Sequence, residues 1–271
     1  MGQSQNRVIC VLGMHRSGTS LLTRCLNILG LTLGNGKKIM PPGPDNPTGF
    51  WEHSEIVAIH DQLLAALGRN WADSSPMPNN WTELPAARFH KTFLRRLCTE
   101  EFGRESIWAF KDPRTSLLLP LWKELFADLG LAPSYLIVVR NPKEVADSLA
   151  KRNGFAQAES LVLWRRYNLE IVQHTEGSPR LVVEYTTFLR RWKLELERIK
   201  EKLALPNVRD QKSVEADLAA VVNPGLRHHG GSGPEEVPSA VAETYRLLSA
   251  AAAGETNALR LLLRKMTTDW C

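Results

Sequence analysis

The sequence has few cysteines and no long hydrophobic run, and each absence excludes a class of protein. Its 271 residues include only four cysteines, which are Cys10, Cys25, Cys98 and Cys271. They lie far apart, without a CxxC pair or a metal-ligand spacing, so we interpret them as reduced thiols. No apolar run is long enough to span a membrane. The N-terminus, MGQSQN, does not carry the basic and apolar segments of a secretory signal. We therefore expect a cytoplasmic protein.

The overall composition indicates a globular chain with an affinity for anions. Hydrophobic residues make up 43% of the sequence, enough to fill the core of one large α/β domain. The formal net charge is +5, which suits nucleic acid, an anionic membrane surface or an anionic small molecule. We expect a single domain, with a core over about residues 7–205 and a C-terminal loop and helices over about 206–271.

The most informative stretch is RVICVLGMHRSGTSLLTRCLNILG, residues 7–30. Val8 to Leu12 is the apolar, β-branched run of a strand buried on both faces. Gly13 ends that run, and apolar residues recur at helical spacing from Thr19 to Gly30. The loop between them therefore precedes a helix, where unpaired amides and the helix dipole favour an anion.

This loop has the glycine spacing of a Walker A motif but not its lysine. Gly13 and Gly18 stand at the right separation, yet Thr19 occupies the position of the lysine. The cation of the loop is Arg16 instead. Further donors come from the hydroxyl groups of Ser17, Thr19 and Ser20. The loop is therefore predicted to cradle a phosphate group other than that of Mg-ATP.

Strand and helix patterns alternate through the rest of the chain. Further strands are predicted at 106–110, 134–139 and 181–183, and further helices at 56–67, 86–101, 115–129, from 142, at 157–174, 187–204, 236–252 and 255–267. This alternation predicts an α/β fold with a central parallel sheet flanked by helices. We expect the nucleotide-binding type with a P-loop, and a mainly helical C-terminal region.

A second anion site is predicted where another strand ends. Arg140 follows the apolar run SYLIVV, and Asn141 and Pro142 are suited to start a helix. Ser148 lies about two turns into that helix, so it can reach the same anion as Arg140. Two anion sites suggest a ligand with two phosphorylated positions.

The two motifs together resemble the sulfotransferase family that uses 3′-phosphoadenylyl sulfate (PAPS). The resemblance implies that Arg16, Ser17, Gly18, Thr19 and Ser20 bind the 5′-phosphosulfate and that Arg140 and Ser148 bind the 3′-phosphate. The RSGTS wording and Lys111-Asp112-Pro113 are closer to the tyrosylprotein and bacterial glycan or lipid branches than to the branch acting on small phenols.

The resemblance also implies a nucleotide-binding transferase that needs no metal and moves a sulfuryl group to a hydroxyl. Arg16 and Lys111 would neutralise charge on the phosphosulfate. Glu52 is the first choice for the base that takes the hydroxyl proton, and His53 is its rival. Glu55 and Asp112 stay open as further alternatives.

Other site residues are less closely tied to the motifs. By the same resemblance, Tyr185 lies near the adenine and Arg227 belongs to a late loop over the 3′-phosphate. Trp51, Trp71 and Trp81 fall in two early loops, where they either stack on an acceptor or pack within the protein.

The acceptor is expected to carry a hydroxyl group, and carbohydrate, lipid and peptide acceptors stay open. The alternatives are a P-loop kinase or NTPase and a basic nucleic-acid-binding protein. The missing lysine disfavours a kinase or NTPase, and the lack of a nucleic-acid-binding motif disfavours the other. We therefore expect PAPS as the donor co-substrate and no nucleic-acid partner.

Overall fold

The computed structural model describes residues 5–44, 46–206, 211–222 and 237–269. Its sheet is parallel and has the strand order β2-β1-β3-β4. The strands are β1 (Arg7–Leu12), β2 (Ile107–Lys111), β3 (Ala132–Val139) and β4 (Arg180–Glu184). In this register Cys10 of β1 lies between Phe110 and Tyr135. The predicted parallel α/β sheet is confirmed.

Helices follow each strand and make up the C-terminal region. In the described part of the chain they are α1 (Thr19–Ile28), α2 (Ser54–Ala66), α3 (Pro85–Phe102), α4 (Thr115–Asp128), α5 (Pro142–Asn153), α6 (Gln157–His174), α7 (Tyr185–Lys202), α8 (Gln211–Val221), α9 (Ser239–Ala252) and α10 (Ala258–Asp269). The mainly helical C-terminal region is confirmed. Helix α8 was not predicted, because only Val214, Leu218 and Val221 mark its apolar side.

The sheet separates two hydrophobic cores. Val8 and Cys10 of β1 face the core shared with α2 to α6, α9 and α10. Ile9 and Val11 face the core shared with α1, α7 and α8. Every one of these β1 residues is fully buried. A strand covered by helices on both faces explains why its sequence is a continuous apolar run.

The strand order creates a crevice between β1 and β3. The chain passes from β1 to β2 on one side and then crosses back to β3 on the other side of β1. Helix α1 leaves β1 toward one core, whereas α5 leaves β3 toward the opposite core. In an open parallel sheet, ligands bind at such a switch point, beyond the carboxyl ends of the strands.

The described helices include none that is long and apolar enough to cross a membrane. Cys10, Cys25 and Cys98 are buried and form no disulfide bond. Burial raises the pKa of the Cys25 and Cys98 thiols to about 12, so both are protonated at neutral pH.

Candidate active site

A cavity of about 170 Å³ lies at the carboxyl ends of the strands. The strand-end residues that line it are Arg16 after β1, Lys111 of β2, Arg140 after β3 and Tyr185 after β4. The predicted residues Gly18, Thr19, Ser20 and Glu52 also line it. The fold thus brings most of the predicted site residues into one place.

A larger cleft of about 1030 Å³ lies between β4, α7, α9 and α10. Its five basic side chains are Arg180, Arg191, Arg198, Lys202 and Arg260, and four carboxylates lie among them. Arg198, for example, is paired with Glu195 at 2.6 Å. The charges of this cleft nearly balance, whereas the basic side chains that line the smaller cavity outnumber its one carboxylate. We therefore place the candidate functional site at the smaller cavity.

The loop after β1 forms an open cradle at the start of α1. Gly18 is the N-cap residue and has a left-handed backbone with φ of 93°. Among the described residues, no side chain caps this end of α1. The Oγ of Ser17 is buried and has no hydrogen-bond partner among the residues described. A helix terminus with unused donors is suited to bind an anion.

Tyr185 closes one side of this cradle. Its ring lies so close to Gly18 that a Cβ atom added there would overlap the ring carbons. The Tyr185 side chain is buried, and its pKa is raised mainly by that burial. The glycine is therefore required both by its backbone conformation and by the aromatic ring above it.

The two predicted anion motifs touch each other. The Arg16 Nε donates a hydrogen bond of 2.8 Å to the Ser148 Oγ. The Arg140 Nη1 donates a hydrogen bond of 3.1 Å to the carbonyl oxygen of Arg16. Motifs more than 120 residues apart in the chain therefore form one continuous cationic surface.

Arg140 is held in place on several sides. Its Nε donates to the Glu144 carboxylate at 2.9 Å, and its guanidinium lies 5.0 Å from the centroid of the Tyr185 ring. Its carbonyl oxygen accepts a hydrogen bond of 3.1 Å from the Trp164 indole. Asn141 caps α5 as predicted, by accepting from the backbone amide of Lys143 at 2.9 Å. A planar guanidinium fixed in this way is suited to recognise a phosphate.

Glu52 and Lys111 form a buried ion pair in the cavity. The Lys111 Nζ donates to the Glu52 carboxylate, and it also lies 3.2 Å from the Ser20 Oγ and 3.1 Å from the Phe50 carbonyl oxygen. Burial raises the pKa of the Glu52 carboxyl, against the opposing effect of the Lys111 charge. A base and a cation thus lie beside the start of α1.

His53 points away from this pair although it follows Glu52 in sequence. It is buried but is not among the cavity-lining residues. Its Nε2 lies 3.8 Å from the Glu101 carboxylate, and burial lowers its pKa. Glu55 also lies apart, since it is paired with Lys38 at 2.9 Å. Of the alternatives adjacent in sequence, the fold places only Glu52 in the cavity.

Asp112 belongs to a buried hydrogen-bond network behind Lys111. The Trp122 indole donates to the His60 Nε2 at 2.9 Å, so the His60 Nδ1 donates to Asp112 at 2.7 Å. Arg114 donates to the other carboxylate oxygen at 2.9 Å. Burial acts to raise the pKa of Asp112, but the hydrogen bond from His60 and the charge of Arg114 lower it well below its usual value. This network fixes the turn that follows Lys111.

Sequence reasoning missed His15, which also lines the cavity. Its ring centroid lies 4.5 Å from that of Trp71 and 5.9 Å from that of Tyr167. Burial lowers the pKa of His15, and the charge of Arg114 lowers it further. The only signal in the sequence was its position just before Arg16.

The remaining predicted residues have different surroundings. Trp51 lines the cavity beneath the Arg24 guanidinium, which lies 5.4 Å from its ring centroid. Trp71 is half-buried and stacks on Phe155, whereas Trp81 packs in the core. Arg227 lies outside the described residues.

The fold is similar to those of solved sulfotransferase domains. One is the sulfotransferase domain from the Synechococcus PCC 7002 olefin synthase, with a TM-score of 0.54 and 16% identity over 92% of this chain and 97% of that one. Another is the sulfotransferase domain from the curacin biosynthetic pathway, with a TM-score of 0.52 and 16% identity over 90% and 98%. No protein-family model matches the chain, and no curated protein matches it in sequence. The likeness therefore establishes a sulfotransferase-like α/β fold.

Proposed function

We propose that the protein transfers a sulfuryl group from PAPS to an acceptor hydroxyl and releases adenosine 3′,5′-bisphosphate. The observation that carries this proposal is the hydrogen bond of 2.8 Å between Arg16 and Ser148. It joins the cradle at the start of α1 to helix α5, and Arg140, which follows β3, donates to the carbonyl oxygen of the same Arg16. A nucleotide with anionic groups on both its 5′ and 3′ positions matches that joined surface.

The residues around the cavity fit such a donor. The 5′-phosphosulfate would be held by Arg16, Ser17, Gly18, Thr19 and Ser20, since α1 begins there and no described side chain caps it. The Ser17 Oγ is buried and has no partner in the described part of the chain, so it offers a further donor.

The other end of the donor would lie toward β3 and β4. Arg140 and Ser148 would hold the 3′-phosphate, and Tyr185 would contact the adenine. The Tyr185 ring already stacks with the Arg140 guanidinium, at 5.0 Å from the ring centroid. Phosphate and base would therefore be bound by side chains that support each other.

In the proposed transfer, Glu52 takes the proton of the acceptor hydroxyl. The acceptor oxygen forms a bond to sulfur while the bond between sulfur and the phosphate oxygen breaks, and the electron pair stays on that phosphate. Lys111 and Arg16 stabilise the negative charge that develops there. Fixed cations supply this stabilisation, so we propose that the transfer needs no metal.

Lys111 contacts both the proposed base and the start of α1, where the donor would bind. In the structure its ammonium group is bound to Glu52 and lies 3.2 Å from Ser20 at the start of α1. A phosphosulfate group bound at α1 would share the positive charge of Lys111 and so weaken its bond to Glu52. The base would then become available when the donor is in place.

Thermal unfolding with added nucleotides tests the proposal. A ligand at a hundred times its dissociation constant stabilises a protein by about 2.7 kcal/mol. We expect adenosine 3′,5′-bisphosphate to raise the melting temperature in EDTA and ADP to have little effect. Stabilisation by Mg-ADP together with no response to the bisphosphate would favour a P-loop kinase or NTPase and would exclude our proposal.

A further inference from the structure

The solvent-facing side of helix α3 carries an aromatic side chain that the core does not use. Phe89 is 61% exposed, and among the exposed large hydrophobic side chains of the described residues it is the only aromatic one. Its ring meets that of Phe93 edge to face, with the two centroids 4.9 Å apart. Aromatic side chains are enriched at the centres of protein interfaces, so this pair marks a candidate docking surface.

An apolar groove opens beside this pair, between α2 and α3. Its volume is about 190 Å³. Its apolar lining is Ala58, Ile59, Phe93 and Leu97, and the carboxylates of Glu55 and Glu100 lie beside them. Ala58 is exposed and Ile59 is half-buried, whereas Leu97 belongs to the core. The groove is therefore open to solvent and suited to receive an apolar side chain.

Two rows of side chains run along this side of α3 at intervals of four residues, the spacing that keeps side chains on one face of a helix. The apolar row passes from solvent into the core and consists of Phe89, Phe93 and Leu97. The polar row is exposed throughout and consists of Arg88, Thr92, Arg96 and Glu100. The first row thus runs from a protruding ring to the groove, and the second runs from a cation to a carboxylate.

These rows match a second copy of themselves in the antiparallel direction. A second α3 lying antiparallel across the first would bring Phe89 of each copy to the groove at Leu97 of the other. The same placement brings Arg88 of each copy to Glu100 of the other. The midpoints of the two pairings fall at residues 93 and 94, so one twofold axis fits both. Such an axis is the usual symmetry of protein dimers, in which each copy presents the same patch to the other.

We propose that the protein forms a dimer through α3, in which Phe89 of each copy enters the α2–α3 groove of the other and Arg88 pairs with Glu100 of the second copy. Arg88 has no ion pair among the described residues. Glu100 lies 3.8 Å from Arg96, and the side chains of that pair are 67% and 62% exposed, so Glu100 is accessible to the second copy.

The charges of this face favour a second copy over a membrane surface. Glu55 and Glu100 would be repelled by anionic lipids, whereas an antiparallel copy brings Arg88 to them. The face also lies apart from the candidate active site, because the described lining of that cavity includes no residue of α3. Both active sites of the dimer would therefore stay open.

Sedimentation velocity of the full chain at increasing concentration tests the proposed dimer. We expect the wild type to change from monomer to dimer with a Kd below about 100 µM. Phe89→Asp places a carboxylate at the groove, where Glu55 and Glu100 of the second copy repel it. Because each dimer has two such contacts, its Kd should rise at least about a hundredfold. The control is Val162→Asp, since Val162 is 55% exposed on α6, and it should leave the Kd unchanged.

Exchange of charges tests the antiparallel arrangement. Arg88→Glu and Glu100→Arg each bring like charges together, so either substitution alone should raise the Kd about tenfold. The two substitutions combined restore opposite charges and should return the Kd to within about threefold of the wild-type value. A combined variant that dimerises no better than the single ones would overturn the pairing of Arg88 with Glu100.

Two further results would overturn the proposed dimer. One is a wild type that remains monomeric at about 200 µM, and the other is a dimer that persists in Phe89→Asp, because another face would then join the copies. Thermal unfolding checks that each variant is folded. If Phe89→Asp is not, the charge exchange decides. Binding of adenosine 3′,5′-bisphosphate should be the same in all of these variants, so failure of the dimer and failure of the proposed function are distinguishable.

Discussion

The two halves of the cavity are held together in different ways. On the proposed donor side, Arg16 is bonded to Ser148, and Arg140 is bonded to Glu144 and to the carbonyl oxygen of Arg16. On the proposed acceptor side, Glu52 and Lys111 form a buried ion pair. The proposed donor side thus has a network of contacts around its two arginines. On the proposed acceptor side the base is held by one ion pair, whose lysine also contacts Ser20 and the Phe50 carbonyl oxygen.

This difference indicates how the two sides would respond to ligands. A network of fixed donors is already arranged for an anion, so binding should need little rearrangement. The Glu52–Lys111 ion pair must separate, or Lys111 must share its positive charge with the bound donor, before Glu52 can accept a proton. We therefore expect substitutions on the donor side to change affinity and substitutions on the acceptor side to change turnover.

The largest expected effect is on turnover, in Glu52→Gln. Loss of a general base reduces the rate by about 10²- to 10⁴-fold, while the bonds to the donor remain. Turnover and calorimetric binding of adenosine 3′,5′-bisphosphate should be measured on the same preparation. Glu55→Gln is the control, because Glu55 is paired outside the cavity. Near-normal turnover of Glu52→Gln would show that Glu52 is not the base.

The next effect is on affinity, in Arg140→Lys. A lysine cannot reproduce the fixed guanidinium that bonds Glu144 and the Arg16 carbonyl oxygen. We expect binding of the bisphosphate to weaken by about ten- to a hundredfold. Arg180→Lys is a matched control, because Arg180 stands at the start of β4 and does not line the cavity. Equal effects of the two substitutions would show that the loss is not specific to the site.

A smaller loss of affinity is expected for Gly18→Ala. The new methyl group would overlap the Tyr185 ring and would also strain a backbone with φ of 93°. Gly130→Ala has only the strain, because φ is 64° there and an added Cβ would meet no neighbouring atom of the described residues within 4 Å. Bisphosphate affinity should fall by about tenfold in Gly18→Ala and stay unchanged in Gly130→Ala. Unchanged affinity in both would show that the cradle tolerates displacement of Tyr185.

The smallest effect is a shift in pH dependence. Glu52 must be ionised to act as a base, so kcat/KM should fall as the pH drops through its pKa. Burial raises that pKa, so the decline should begin above the value of about 4.3 typical of a glutamate. Lys111→Met removes the charge that favours ionisation and should raise the pKa further, which carboxyl ¹³C NMR can measure. An unchanged carboxyl pKa in the variant would contradict the coupling between these two residues.

That Arg16 and Arg140 lie near each other could be predicted from the sequence, because each stands in the loop that follows a strand. Arg16 follows β1 and Arg140 follows β3, and parallel strands bring their carboxyl ends to one edge of the sheet. Ser148 is then placed by the helical rise from Asn141. The fold class followed in the same way from alternating strand and helix patterns.

The surroundings of His15 and Asp112 could not be predicted as fully, because distant segments meet there without a regular spacing. His15, Trp71 and Phe155 come from separate loops, and their contact depends on how those loops fold. His60 reaches Asp112 only because α2 packs beside the turn after β2. Which of Glu52 and His53 lines the cavity likewise depends on the direction in which the chain enters α2.

The most direct test of the account is transfer of ³⁵S from labelled PAPS, in EDTA, to a panel of carbohydrate, lipid, peptide and naphthol hydroxyls. We predict that label moves to at least one acceptor with release of an equal amount of adenosine 3′,5′-bisphosphate. Glu52→Gln should bind the bisphosphate and transfer little label. Retention of all label on the nucleotide across the whole panel, by a wild-type protein that binds the bisphosphate, would contradict the proposed sulfuryl transfer.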